Sequence, residues 1–188
     1  MTGENIIRVI WCIFFAYWFY SSRKIKAAKS SEPRWTRILH LTAMVSNWVL
    51  LMAGGWLPEF LRLRLVPEGF PNLTIGIAIA FAGLCFGIWS RKTLGSNWSG
   101  AVTLKKDHEI IKQGPYGIVR HPIYTGIITT VLGSALVTGE LRGILAFTIV
   151  VIAYLVKIPK EEKLLSAHFP DEYPKYLAST RKLIPFLY

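Results

Sequence analysis

Five apolar stretches, bounded by clusters of Lys and Arg, run through this 188-residue chain and leave few folds open to it. They cover residues 6–22, 38–57, 73–90, 123–138 and 141–156. The first three approach the length a helix needs to cross a hydrocarbon core about 30 Å thick. The last two are shorter, and only Gly139-Glu140-Leu141-Arg142-Gly143 separates them, which predicts a tight helical hairpin. The expected fold is an all-α integral membrane protein of about five transmembrane helices, four if the hairpin does not cross. It forms one domain over 1–188, with three spans in 1–93 and the chemistry in 94–188.

The cations fix an expected orientation. Six (Arg23, Lys24, Lys26, Lys29, Arg34, Arg37) lie between spans one and two, and six (Arg91, Lys92, Lys105, Lys106, Lys112, Arg120) follow span three. Six more (Lys157, Lys160, Lys163, Lys175, Arg181, Lys182) follow span five, against Arg8, Arg62, Arg64 and Arg142 on the other side. The positive-inside rule then puts the N-terminus outside and the C-terminus in the cytosol. The compact plan suggests a prokaryotic inner membrane. A net charge of +11 on a chain that is 52% hydrophobic could also signal nucleic-acid binding. That function calls for cations spread on a folded polar face, whereas here they gather at the ends of apolar runs. Cys12 and Cys85 sit inside apolar runs without metal-site spacing and read as packing residues. No metal site is expected. Gly83 and Gly87, four apart, with Gly76, Ala80 and Ala82, predict close helix contact. Trp11, Trp18, Trp48, Trp56 and Trp89 read as interfacial or packing groups.

The chemistry-bearing residues gather on the basic side. The loop of residues 91–122 ends in Gly114-Pro115-Tyr116-Gly117-Ile118-Val119-Arg120-His121-Pro122-Ile123-Tyr124-Thr125-Gly126. Its glycines and prolines fix a non-helical entry to span four. Arg120 and His121 sit at that entry, beside backbone N–H groups that favour an anion; a snorkelling pair capping the span is the alternative. After span five come Lys157-Ile158-Pro159-Lys160-Glu161-Glu162, then residues 161–177, in which Pro170 and Pro174 interrupt an amphipathic pattern. This predicts a short amphipathic helix, a turn, and a second piece against the membrane, closing a pocket or merely anchoring the chain. Truncation after Ser166 is expected to abolish cofactor binding. The short hairpin beside these loops further predicts a pocket open sideways to lipid.

Gly-x-Tyr-x-x-x-Arg-His-Pro-x-Tyr, followed by a helical hairpin, Glu161-Glu162 and Phe169-Pro170-Asp171-Glu172-Tyr173-Pro174-Lys175-Tyr176, resembles the isoprenylcysteine carboxyl methyltransferase family. Gly95-Ser96-Asn97-Trp98-Ser99 and the segment from Asp107 are similar to its prokaryotic members. The resemblance runs from about Leu94 to the C-terminus. It implies a methyltransferase that uses S-adenosylmethionine and acts on a lipidated cysteine carboxylate. It maps cofactor positions onto His108, Glu109, Ile110, Ile111, Tyr116, His121, Pro122, Ile123, Tyr124 and Glu161. Arg120 and His121 can face the methionyl carboxylate and Glu161 can accept from amino or ribose donors, while Tyr116 and Tyr124 can wall the adenine or the sulfonium. The implied catalytic set is Arg120, His121, Lys157 and Glu161. Lys157 stands where the family places an arginine to hold the substrate, a point charge without the planar fork. An ionised carboxylate needs no general base, only alignment and desolvation. A phospholipid or amine N-methyltransferase would need one, and Glu161, Glu162 or His121 would then serve. The same C-terminal region, with Arg181-Lys182-Leu183-Ile184-Pro185-Phe186-Leu187-Tyr188, is also similar to NADPH-dependent sterol reductases, which carry many more spans. A non-catalytic membrane scaffold is the remaining alternative. The acceptor is expected to be lipid-like.

Overall fold

In the computed structural model, residues 2–23, 28–31, 34–67, 69–98, 103–105 and 110–185 are described. The apolar runs become five long helices: α1 (Gly3–Ser22), α2 (Arg34–Met52), α3 (Phe70–Leu94), α4 (Pro122–Thr138) and α5 (Leu141–His168). A short sixth, α6 (Tyr173–Ser179), follows. Prolines stand in the first turns of α3, α4 and α6, where a missing N–H breaks no helical bond. Gly139, at φ 66°, ends α4 in the left-handed conformation and returns its N–H to the Ala135 carbonyl.

The packing is that of a chain whose solvent is lipid. Large apolar side chains face outward: Val9 and Phe19 on α1, Ile38 and Val45 on α2, Phe81 on α3, Ile152 on α5. Polar ones turn inward: Asn47, Ser90, Thr130, Ser134 and Arg142 are all buried. α3 and α5 are long and apolar enough to cross a membrane. α4 is the central element. Its Thr130, Ser134 and Thr138 hydroxyls each donate to the carbonyl four residues back, so none of these three is left bare in the interior. It packs against α3 through glycines: a Cβ on Gly126 would lie 2.6 Å from Gly87 Cα, and one on Gly83 would lie 2.7 Å from Thr130 Oγ1. The smooth surface expected on α3 therefore meets a matching one on α4. Trp11 belongs to the core, donating from Nε1 to Ser134 Oγ at 3.1 Å, whereas Trp56 is 93% exposed and has no packing role.

Three sequence expectations need correction. The second apolar run ends as helix at Met52, because Gly54-Gly55 leads into a 3-10 turn rather than continuing the span. The fifth does not stop near Val156: α5 runs on through Pro159 to His168, 28 residues in all and about 42 Å long. The amphipathic helix expected after it is its last part. An internal proline removes one backbone hydrogen bond, and the helical phase of Tyr154, Ile158 and Leu165 continues across it. Residues 28–31 and 103–105, from two separate loops, also pair as an antiparallel ribbon with Ala28 opposite Lys105, which no sequence pattern announced.

At the end of the bundle away from this ribbon, Arg142 is buried rather than free in a loop. It meets Glu140 at 2.6 Å and Glu4 at 2.7 Å, and donates to the Leu50 and Leu51 carbonyls at 3.2 and 3.0 Å. One guanidinium thus ties α1, α2 and the α4–α5 turn together.

Candidate functional site

The entry to α4 is a 3-10 turn over Gly114–Gly117, with Gly114 at φ 56°, that buries Pro115 and Tyr116. From there the chain runs alongside its own C-terminal tail. Arg120 N–H donates to the Arg181 carbonyl at 2.8 Å, His121 N–H to the Lys182 carbonyl at 3.1 Å, and Thr125 Oγ1 to the Leu183 carbonyl at 2.7 Å. The Tyr176 hydroxyl donates to the Tyr116 carbonyl at 2.7 Å, which fastens α6 under the turn. The tail is therefore built into the site.

Two adjacent glutamates of α5 divide the work. Glu162 Oε1 accepts from Arg120 Nε at 2.6 Å and lies 3.1 Å from His121 Nε2, while Arg120 Nη1 donates to the Thr180 carbonyl at 2.5 Å. Glu161 Oε2 accepts from the Tyr124 hydroxyl at 2.6 Å and stands 3.9 Å from His121 Nδ1. The Glu161 side chain is 31% exposed against 14% for Glu162, so Glu161 keeps accessible carboxylate surface while Glu162 is engaged by the protein. His121 bridges the two and stacks on Tyr124 at 5.4 Å; Tyr124 stacks on Tyr154 at 4.3 Å, and Lys157 Nζ lies 5.4 Å over the Tyr124 ring. Burial pushes the Tyr116 hydroxyl well above the ordinary phenol range, and the Glu161 charge adds to it. Burial likewise raises Tyr176, with Arg120 opposing, and raises Tyr173 together with the charges of Glu162 and Glu161. These phenols stay neutral at physiological pH.

Beside this cluster opens a cavity of about 450 Å³ between α1, α2, α4 and α5. Tyr124, Tyr154 and Lys157 line its polar part; Trp11, Trp18 and Trp48 line its apolar part. A second cavity of about 220 Å³ lies along α2 and α5, and His40 and Lys157 belong to both.

The model of the isoprenylcysteine carboxyl methyltransferase (ICMT) family matches residues 75–167, from within α3 to the end of the glutamate-bearing part of α5. Over those 93 of its 188 residues the chain is similar to this family. Among relatives, a protein-S-isoprenylcysteine O-methyltransferase of Schizosaccharomyces pombe is 31% identical over 115 residues, which are 57% of this chain and 49% of that protein. A "probable protein-S-isoprenylcysteine O-methyltransferase" of Oryza sativa subsp. indica is 26% identical over 177 residues, 90% of this chain and 91% of that one. The chain thus spans about half the yeast protein and nearly all of the rice one. A solved structure of the eukaryotic intramembrane Ras methyltransferase ICMT has the same fold, with a TM-score of 0.55 at 23% identity over 78% of this chain and 52% of that one.

Arg120, His121, Tyr124, Lys157 and Glu161 come together in one cluster, with Tyr116 beside it. Pro122 and Ile123 are buried at the start of α4, and Ile123 lines the larger cavity. Ile110 and Ile111 are half-buried on the approach to the turn, while His108 and Glu109 lie outside the described residues. Sequence reasoning gave Arg120 to a ligand anion; here its guanidinium holds Glu162 and the Thr180 carbonyl. It missed Tyr154, whose spacing to Lys157 and Glu161 (three and seven residues) puts all three on one helical face. It also counted Arg91 as a loop cation. That residue is buried, donates to the Gly95 and Ser21 carbonyls at 2.6 and 2.8 Å, and lies 4.5 Å over Trp98.

Proposed function

We propose that this chain is an S-adenosylmethionine-dependent methyltransferase acting on the carboxylate of a lipid-bearing, isoprenylcysteine-type acceptor at the cytosolic membrane face. The observation that carries this reading is the Tyr124–Glu161 pair at the polar end of a tryptophan-lined cavity. The residues present fit the cofactor. Glu161 has an accessible carboxylate for amino or hydroxyl donors, and the Tyr124 and Tyr116 rings offer faces of the kind that attract a cation. When bound, S-adenosylmethionine supplies a methyl group on a sulfonium, which a carboxylate oxygen takes while the C–S electrons return to sulfur.

The protein's own part is placement. Glu162, held by Arg120 and His121, fixes the register of α5 against the entry to α4, and so fixes Glu161 and Lys157. Lys157, buried in the cavity wall, favours an anionic acceptor head over a cationic amine, which supports carboxyl over amine methylation. The apolar wall takes the lipid chain and excludes water from an ionised nucleophile. Exposed apolar faces of α1 and α2 beside the cavity support entry of the acceptor sideways from the bilayer. The distribution of basic residues supports five spans with the C-terminus in the cytosol.

Equilibrium binding to the detergent-purified protein tests this. S-adenosylhomocysteine should bind and NADPH should not. Glu161→Gln, which keeps shape but loses charge, should weaken S-adenosylhomocysteine about tenfold to a hundredfold, the range for one charged hydrogen bond. N-acetyl-S-farnesylcysteine should be methylated and N-acetylcysteine should not. Selective binding of NADPH, or equal turnover of the acceptor without its lipid chain, would refute the reading.

A further inference from the structure

His40 lies in the apolar first half of α2, among the outward-facing Ile38, Leu39 and Leu41. It is half-buried, with its ring 5.4 Å from that of Tyr154. Tyr154 stacks on Tyr124, Tyr124 on His121, and the Tyr124 hydroxyl holds Glu161. His40 is therefore the far end of a file of four rings that begins at the site. It is also one of two residues common to both cavities, and the other is Lys157. At that point the tryptophan-lined chamber and the groove along α2 and α5 meet, and the groove continues to Lys160. A chamber that is apolar over most of its wall, with cation-forming side chains at one edge, matches a single-chain amphiphile whose head is anionic.

We propose that His40 is an acceptor-binding residue, donating a ring N–H to the acceptor's carboxylate opposite Lys157 while the lipid chain lies along the tryptophans. The inference rests on the methyltransferase reading above and names the residue that makes it selective for a carboxylate. Lys alone is a point charge with no fixed geometry; a second donor on a different helix gives the carboxylate two anchors and leaves one oxygen directed to the site. His40 is contributed by α2, outside the span of the family match at 75–167, so selectivity comes from the half of the chain that carries no motif.

The test compares two probes on the full-length purified protein loaded with S-adenosylhomocysteine: N-acetyl-S-farnesylcysteine and its C-terminal carboxamide, with the same tail and no charge. The wild-type chain should bind the acid at least about tenfold tighter than the amide, the worth of one charge-assisted contact. His40→Ala should cut that ratio about tenfold and raise KM for the acid with little change in kcat. Its affinity for the amide and for S-adenosylhomocysteine should stay unchanged, which a merely structural role would not produce. A ratio in His40→Ala within twofold of wild type overturns the proposal. Should that variant fail to fold, His40→Phe keeps a ring against Tyr154 and faces the same criterion. If wild type itself does not distinguish acid from amide, the carboxylate reading fails as well. If wild type discriminates and both variants do too, only the role of His40 falls.

Discussion

Arg120 and Glu162 illustrate how a charged pair positions a site it does not itself complete. Both side chains are mostly buried, at 9% and 14% exposure, and the Glu162 carboxylate also faces His121. Removing one member of a buried pair leaves an uncompensated charge and costs about 3–5 kcal/mol. Arg120→Ala should therefore lower thermal stability in detergent sharply, and adding Glu162→Gln should recover part of the loss; an unchanged melting temperature in Arg120→Ala would contradict the pairing. The motif containing Arg120 is visible in the sequence, but its partner is not. Glu161 and Glu162 are adjacent and chemically alike, and only their phase on α5 decides that one holds the protein together while the other keeps an accessible oxygen.

At the scale of elements, α3 and α4 pack through facing glycines, and α6 with the tail is bonded to the entry of α4. Gly126→Val would drive a side chain into the Gly87 and Gly83 backbone, at 2.6–2.9 Å from its Cβ. It should destabilise the fold by about 1–3 kcal/mol or more, whereas Gly55→Ala, with nothing within 4 Å of its Cβ, should be neutral. Thermal unfolding of the two variants side by side checks this, and equal melting temperatures would contradict the packing. Truncation after Ser166 deletes the carbonyls at 180–183 that receive Arg120, His121 and Thr125, together with Tyr176 under Tyr116. Binding of S-adenosylhomocysteine should then be lost; a truncated chain that still binds would show that the tail only anchors.

For the molecule as a whole, orientation is the quantity to measure. In a background with Cys12 and Cys85 replaced by Ser, Trp56→Cys should react with an impermeant thiol reagent in intact cells. Lys175→Cys should react only after the membrane is opened; the reverse pattern would invert the topology. What the sequence determined by itself is where the chain is apolar, which side is basic, and the Arg-His-Pro-x-Tyr signature with its glutamate pair. Hydropathy and charge act residue by residue, summing along the chain without reference to what lies across from them, so a linear reading captures them. The tertiary structure alone decided that α5 runs through Pro159, that the tail lies along residues 119–121, that Arg91 and Arg142 are interior clamps, and that His40 reaches the cavity beside Lys157. All but the first depend on bringing segments 40 to 140 residues apart to within hydrogen-bonding or van der Waals distance. The energy of such contacts belongs to the pair, and neither residue carries its share in the sequence.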